Sequence, residues 1–87
     1  MEKLVTVLQE YKMQAIVWST ETCSYCKQAK TLLNSKNIPF EERMIGREWT
    51  KEQLLVEVPN ARTVPQIFID GNYVGGYTDL VSYLSGL

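Results

Sequence analysis

Apolar positions recur along this chain with two different periods, and the switches between them predict its elements. Leu4, Val7, Leu8 and Tyr11 fall at helical spacing, so residues 2–12 predict a short amphipathic helix. "AIVW" at 15–18 is an unbroken apolar run of strand length, the pattern of a central strand covered on both faces. Cys26, Ala29 and Leu33, extended by Leu32, return to the helical period. They predict a helix from Thr22 or Cys23 to about Lys36, with Cys26 on its covered face. "NIPFEERMI" at 37–45 reads as a second strand with Pro39 near its start. Thr50-Lys51-Glu52-Gln53 has the form of a capping box, opening a short helix that stops before Pro59-Asn60. "QIFI" at 66–69 is a third strand, Asp70-Gly71 a hairpin turn, and "NYV" the returning fourth strand. After Gly75-Gly76, the residues Leu80, Val81 and Leu84 mark a final helix, with Thr78 or Asp79 near its N-cap.

The order αβαβαββα implies an α/β protein. The first two strands flank a helix and should be parallel, joined by a right-handed crossover. The last two form a hairpin. One four-stranded mixed sheet with helices on both faces follows, and residues 1–87 read as a single domain without repeats or low-complexity segments.

Composition narrows the function. The 87 residues carry 22% charged side chains and a net charge of −1, which gives no reason to expect nucleic acid or a membrane surface as partner. No apolar run approaches the roughly 18 residues of a membrane span. The apolar stretch near the N-terminus, between Glu2 and Glu10, is too short for a secretory signal, so a cytoplasmic location is expected. The chain has no histidine, which removes His-based zinc sites, Cys-His pairs and imidazole acid–base chemistry.

That leaves Cys23 and Cys26, the only two cysteines, in "ETCSYCKQAK" at 21–30. Two ligands are half of a zinc site, which would then have to form between two chains. A structural bridge over so short a loop constrains the unfolded chain little, and such bridges are rare in the cytosol. A redox pair fits best, because short-loop disulfides open and close readily.

The two thiols should differ. Cys23 lies at the helix start, exposed, where free N–H groups and the helix dipole favour its thiolate. Across residues 22–40 there is no acidic side chain, while Lys27, Lys30 and Lys36 are present. Glu21 opposes the thiolate unless it turns into water. Cys26, one turn later, should be the covered thiol and the less acidic one. Lys30 and Lys36 read as the solvated helix face, Tyr25 as a surface aromatic, and Trp18 as core rather than a substrate contact.

Three stretches together, "TCSYC" at 22–26, "RTVPQIFID" at 62–70 and "GGYTDL" at 75–80, resemble the glutaredoxins of the thioredoxin superfamily. The resemblance runs from about Gln14 to Leu84. It implies a thioredoxin-like fold and a glutathione-dependent thiol–disulfide oxidoreductase, with Cys23 and Cys26 as catalytic residues. It also implies that Pro65 is a cis proline beside the cysteines and that Val64 offers backbone groups to the cysteinyl part of glutathione. Arg62 would pair with the glycyl carboxylate. The N–H groups of Thr78 and Asp79, after Gly76, would take the γ-glutamyl carboxylate, and the Asp79 side chain the ammonium. Tyr25 joins this set as a glutathione contact. Gln53 or Glu52 lies near a further polar contact common in the family.

The chain departs from the family pattern at three places. Thr20 stands where many members have lysine, leaving Lys27 or Arg62 to supply that charge. Ser24 replaces the commoner proline, and Tyr77 stands where a cysteine is frequent. The expected partners are glutathione and disulfide-bonded proteins, with the protein itself a monomer. Two alternatives stay open. One is a dedicated electron donor to ribonucleotide reductase. The other is a [2Fe–2S] cluster held between two chains, through Cys23 and a glutathione from each side, suggested by Ser24.

Overall fold

The computed structural model describes residues 13–86, and the helix read over 2–12 lies outside them. Strand β1 spans Ala15–Ser19, helix α1 Ser24–Ser35, strand β2 Phe40–Met44 and helix α2 Lys51–Glu57. Strand β3 (Gln66–Ile69), strand β4 (Asn72–Gly75) and helix α3 (Tyr77–Ser85) complete the order. The sheet order is β2-β1-β3-β4. β1 runs parallel to β2, with Ala15 opposite Phe40 and Ser19 opposite Met44. It runs antiparallel to β3, with Ala15 opposite Ile69. The unbroken apolar run thus occupies an interior strand, as its pattern required.

Alternation along the strands divides the core in two. Ala15, Val17, Ile67 and Ile69 face one side, where they bury Ala29 and Leu33 of α1 and Leu80 and Leu84 of α3. Ile16, Trp18 and Phe68 face the other, against Leu54 of α2 and Val58 beyond it. Helices therefore cover both faces.

Local chemistry explains the element ends. Thr50 and Gln53 exchange bonds, Gln53 N to Thr50 Oγ1 at 3.1 Å and Thr50 N to Gln53 Oε1 at 2.8 Å, completing the capping box. The β3–β4 turn places Asp70 at φ 53° and Gly71 at φ 82°, the left-handed pair of a tight hairpin.

Two boundaries and one buried position differ from the sequence reading. Asn37 and Ile38 do not open β2; they close α1. Asn37 adopts φ 59°, its N–H reaches the Asn34 carbonyl at 3.0 Å, and the Ile38 N–H reaches Leu33 at 2.9 Å. That is a Schellman motif, with Ile38 delivered to the core. The N-cap of α3 is Gly76, not Thr78 or Asp79. Val81, read as part of the apolar stripe, is exposed, while Leu80 and Leu84 carry the packing.

Candidate active site

β1 ends at a buried serine, Ser19, and a short turn leads to α1. Cys23 caps that helix in an extended conformation, φ −96° and ψ 110°. Its sulfur accepts the N–H of Cys26 at 3.0 Å, which consumes one of the donors that a helix start leaves without a partner. The two sulfurs are joined as a disulfide, with Cα atoms 5.2 Å apart. Cys26 is 1% exposed and Cys23 half-buried, so only Cys23 is within reach of a partner molecule. This is the asymmetry expected from the helical stripe.

The loop before β3 supplies the opposite wall. The Val64–Pro65 bond is cis, and the Val64 carbonyl oxygen lies 3.6 Å from Cys23 Sγ. Gln66 anchors this loop: its Nε2 donates to the Thr63 carbonyl at 2.8 Å, and Tyr73 donates its hydroxyl to the same amide. The start of α3 closes the third side. A methyl built on Gly76 would stand 3.6 Å from the Pro65 carbonyl oxygen, so these two backbones approach closely. Thr78 and Asp79 lie in the first turn of α3, where backbone donors lack intrahelical partners. Asp79 Oδ2 accepts from Gly76 N at 3.1 Å and packs over Gly75, which holds φ 122°. Tyr25 projects from α1 with 58% exposure, and its ring stacks on Tyr77, centroids 5.8 Å apart.

Cys23, Cys26, Tyr25, Val64, Pro65 and Gly76 thus converge. Arg62 is exposed on the same loop, two residues before Val64. Gln53, the further polar candidate, is taken up by the capping box. A half-exposed sulfur over a covered one, at a helix start and beside an open carbonyl, suits thiol–disulfide interchange.

A glutaredoxin family model matches residues 15–74. The chain belongs to the glutaredoxin family. Glutaredoxin 3 of Escherichia coli is 42% identical over 64 residues, covering 74% of this chain and 77% of that one. The crystal structure of glutaredoxin 1 from Francisella tularensis, complexed with cacodylate, superposes with a TM-score of 0.73 at 30% identity, over 85% of this chain and 94% of the other. A buckwheat glutaredoxin, solved as its glutathione complex, shares the fold with a TM-score of 0.73 at 24% identity, over 98% of this chain and 84% of that one. The chain is therefore a dithiol thiol–disulfide oxidoreductase of thioredoxin-like fold.

Around the glutaredoxin dithiol, the structure adds contacts that the sequence did not announce. Lys30 is not simply part of the solvated face. Its Nζ and the Ser19 hydroxyl both donate to Glu42 Oε2 at 2.6 Å. Burial pushes the Glu42 carboxyl up, but the bonds from Lys30 and Ser19, with the charges of Lys30 and Arg47, outweigh it and hold the group below its ordinary value. Glu21, expected to oppose the thiolate, is instead ion-paired with Arg47. Trp18 is buried at 1% exposure, as read, and meets Trp49 edge-on with centroids 5.1 Å apart. The Arg43 guanidinium lies 4.2 Å from the Trp49 ring centroid. Helical and strand periods cannot show these pairs, since each joins residues brought together only by the sheet.

Proposed function

We propose that this glutaredoxin reduces glutathione mixed disulfides and protein disulfides, with Cys23 as nucleophile and Cys26 as resolving thiol. One observation carries the assignment: Cys23 Sγ is the half-exposed sulfur and accepts a helix-start N–H, while Cys26 is buried behind it. The Cys23 thiolate attacks the glutathionyl sulfur of a mixed disulfide. A bond forms between Cys23 and that sulfur, the old S–S bond breaks, and the departing thiolate takes a proton from water. A second glutathione, as thiolate, then attacks the bound glutathionyl sulfur. It leaves as glutathione disulfide and returns the Cys23 thiolate. With a protein disulfide, Cys23 bonds to one protein sulfur as the other departs as a thiolate; Cys26 then attacks Cys23, releases the second protein thiolate and closes the Cys23–Cys26 disulfide, which two glutathiones reopen in sequence.

Glutathione fits the three walls of the site. Its cysteinyl backbone can pair with Val64 next to Pro65, its γ-glutamyl carboxylate with the N–H groups of Thr78 and Asp79, and its glycyl carboxylate with Arg62. The buckwheat relative binds glutathione on this same fold. We place the reaction in the cytoplasm and assign it to the monomer, because every group named comes from one chain.

The test is turnover of a glutathione mixed disulfide, with recharging by glutathione compared against recharging by a thioredoxin-reductase-type enzyme. Exclusive use of the second reductant would instead favour a dedicated donor to ribonucleotide reductase. A [2Fe–2S] cluster would have to be shared between two chains, held by Cys23 and a glutathione from each side, the alternative that Ser24 suggests; no step of the reaction above is routed through it.

A further inference from the structure

The cysteines and the turn proposed for the γ-glutamyl group sit on different helices, and one aromatic contact joins them. Tyr25 lies in the first turn of α1, between the two cysteines; Tyr77 is the first residue of α3, between Gly76 and Thr78. Their rings are stacked at 28° with centroids 5.8 Å apart. The two residues are not equivalent. Tyr77 is half-buried and packs against the core beneath α1 and α3, so its ring is held from behind. Tyr25 is 58% exposed, and among the described residues its ring meets no aromatic partner other than Tyr77. An exposed tyrosine at a helix start has several rotamers open to it, and the stack selects one.

We propose that Tyr77 is a positioning residue for recognition of glutathione mixed disulfides. It holds the Tyr25 ring across the gap between α1 and α3, so that the pair walls the groove between Cys23 and the Thr78–Asp79 turn. The inference rests on the reading of this groove as the glutathione site. It predicts an effect on binding rather than on sulfur chemistry, because neither ring supplies a group to the attacking or leaving sulfur.

The test is steady-state kinetics on the mixed disulfide of glutathione and a small thiol. Tyr77→Leu keeps apolar packing but removes the ring. It should raise KM about three- to tenfold, the range an aromatic pair contributes, with kcat within about twofold. Tyr77→Phe, which restores the ring, should bring KM back. In a Tyr25→Ala background, Tyr77→Leu should add nothing, since Tyr77 acts through Tyr25. Unchanged KM in Tyr77→Leu, or fully additive effects in the double variant, would overturn the proposal while leaving wild-type glutathione turnover intact. If the wild type itself fails to turn over the mixed disulfide, the glutathione reading falls first and this inference with it. If Tyr77→Leu lowers stability, the comparison is made at a temperature where every variant stays folded: Tyr77→Leu must raise KM with Tyr25 present and leave KM unchanged in the Tyr25→Ala background.

Discussion

The backbone N–H of Cys26 donates a 3.0 Å hydrogen bond to the sulfur of Cys23. A donor fixed on the sulfur stabilises negative charge there, and the helix dipole acts in the same direction. The nearest carboxylate in sequence, Glu21, is drawn off by Arg47. In the reduced protein, iodoacetamide at about pH 6 should therefore label Cys23 far faster than Cys26, since an unperturbed thiol near 8.5 is almost wholly protonated there. Equally slow labelling of both cysteines would show that the helix start does not activate Cys23.

The burial difference between the two sulfurs predicts a division of labour. Cys26→Ser should keep most turnover of a small glutathione mixed disulfide, because a second glutathione reaches Cys23 directly. It should lose most turnover of a protein disulfide, where the bulky partner stays attached until a thiol one helical turn away displaces it. Cys23→Ser should lose both. Abolished turnover of the small substrate by a folded Cys26→Ser protein would mark a strict dithiol carrier, and the reductase-donor reading would then take precedence.

Gly75 and Gly76 are adjacent but should respond differently to alanine. A methyl on Gly75 would collide with the Asp79 carboxylate, and the residue holds φ 122°, a region alanine rarely adopts. Gly75→Ala should lower the melting temperature and displace Asp79. At Gly76 the added methyl meets only the Pro65 carbonyl oxygen, at an ordinary 3.6 Å. Gly76→Ala should fold normally, so any rise in its KM for glutathione reports crowding of the substrate itself. Matching thermal scans and kinetics for the two variants would contradict this division.

The legible features of this glutaredoxin are the ones written within a few residues. The Thr50–Gln53 box, the Asp70-Gly71 turn and the unbroken apolar run from Ala15 to Trp18 each depend on near neighbours, and each takes the form expected. Asn37 falls in a stretch that reads as strand, whereas its left-handed φ belongs to the helix ending behind it. Lys30 and Glu42 meet because β2 lies parallel to β1 with Val17 opposite Glu42, which turns that carboxylate toward α1. Tyr25 and Tyr77 meet because α1 and α3 share a face of the sheet. The placement of Cys23 and Cys26 is legible in the helical stripe, and that of Val64 and Pro65 through the resemblance; the contacts that brace them are not.

The Ser19–Glu42–Lys30 cluster gives a pH prediction. The folded-state pKa of Glu42 is lowered from 4.5, so its contribution to stability is present above that value and is lost as pH falls through the lower folded value. Glu42→Gln should therefore be less stable than wild type near neutrality, and the gap in melting temperature should close as the pH drops below the ordinary carboxylate range. A gap that stays constant into acid would show that the carboxylate charge is not what matters. Lys30→Met should narrow with pH in the same way, because it removes the other half of the pair.

Asp79 has two roles that a single alanine cannot separate. Its carboxylate caps the start of α3 through Gly76 N, and the glutathione reading also gives it the γ-glutamyl ammonium. Asp79→Asn separates the roles: the amide oxygen can still accept from Gly76 N, while the charge that would meet the ammonium is gone. If the charge contributes, Asp79→Asn should keep its melting temperature near that of wild type and raise KM for glutathione roughly tenfold or more, the range of a lost charged hydrogen bond. Asp79→Ala should show the same rise together with a loss of stability from the missing cap. Arg62→Ala, on an exposed loop, should raise KM by a similar factor without thermal cost. Asp79→Asn with wild-type kinetics would restrict the residue to capping. Unchanged kinetics in Arg62→Ala as well would mean that neither charged side chain holds glutathione, leaving the backbone of Val64, the N–H donors at the start of α3 and the Tyr25 ring.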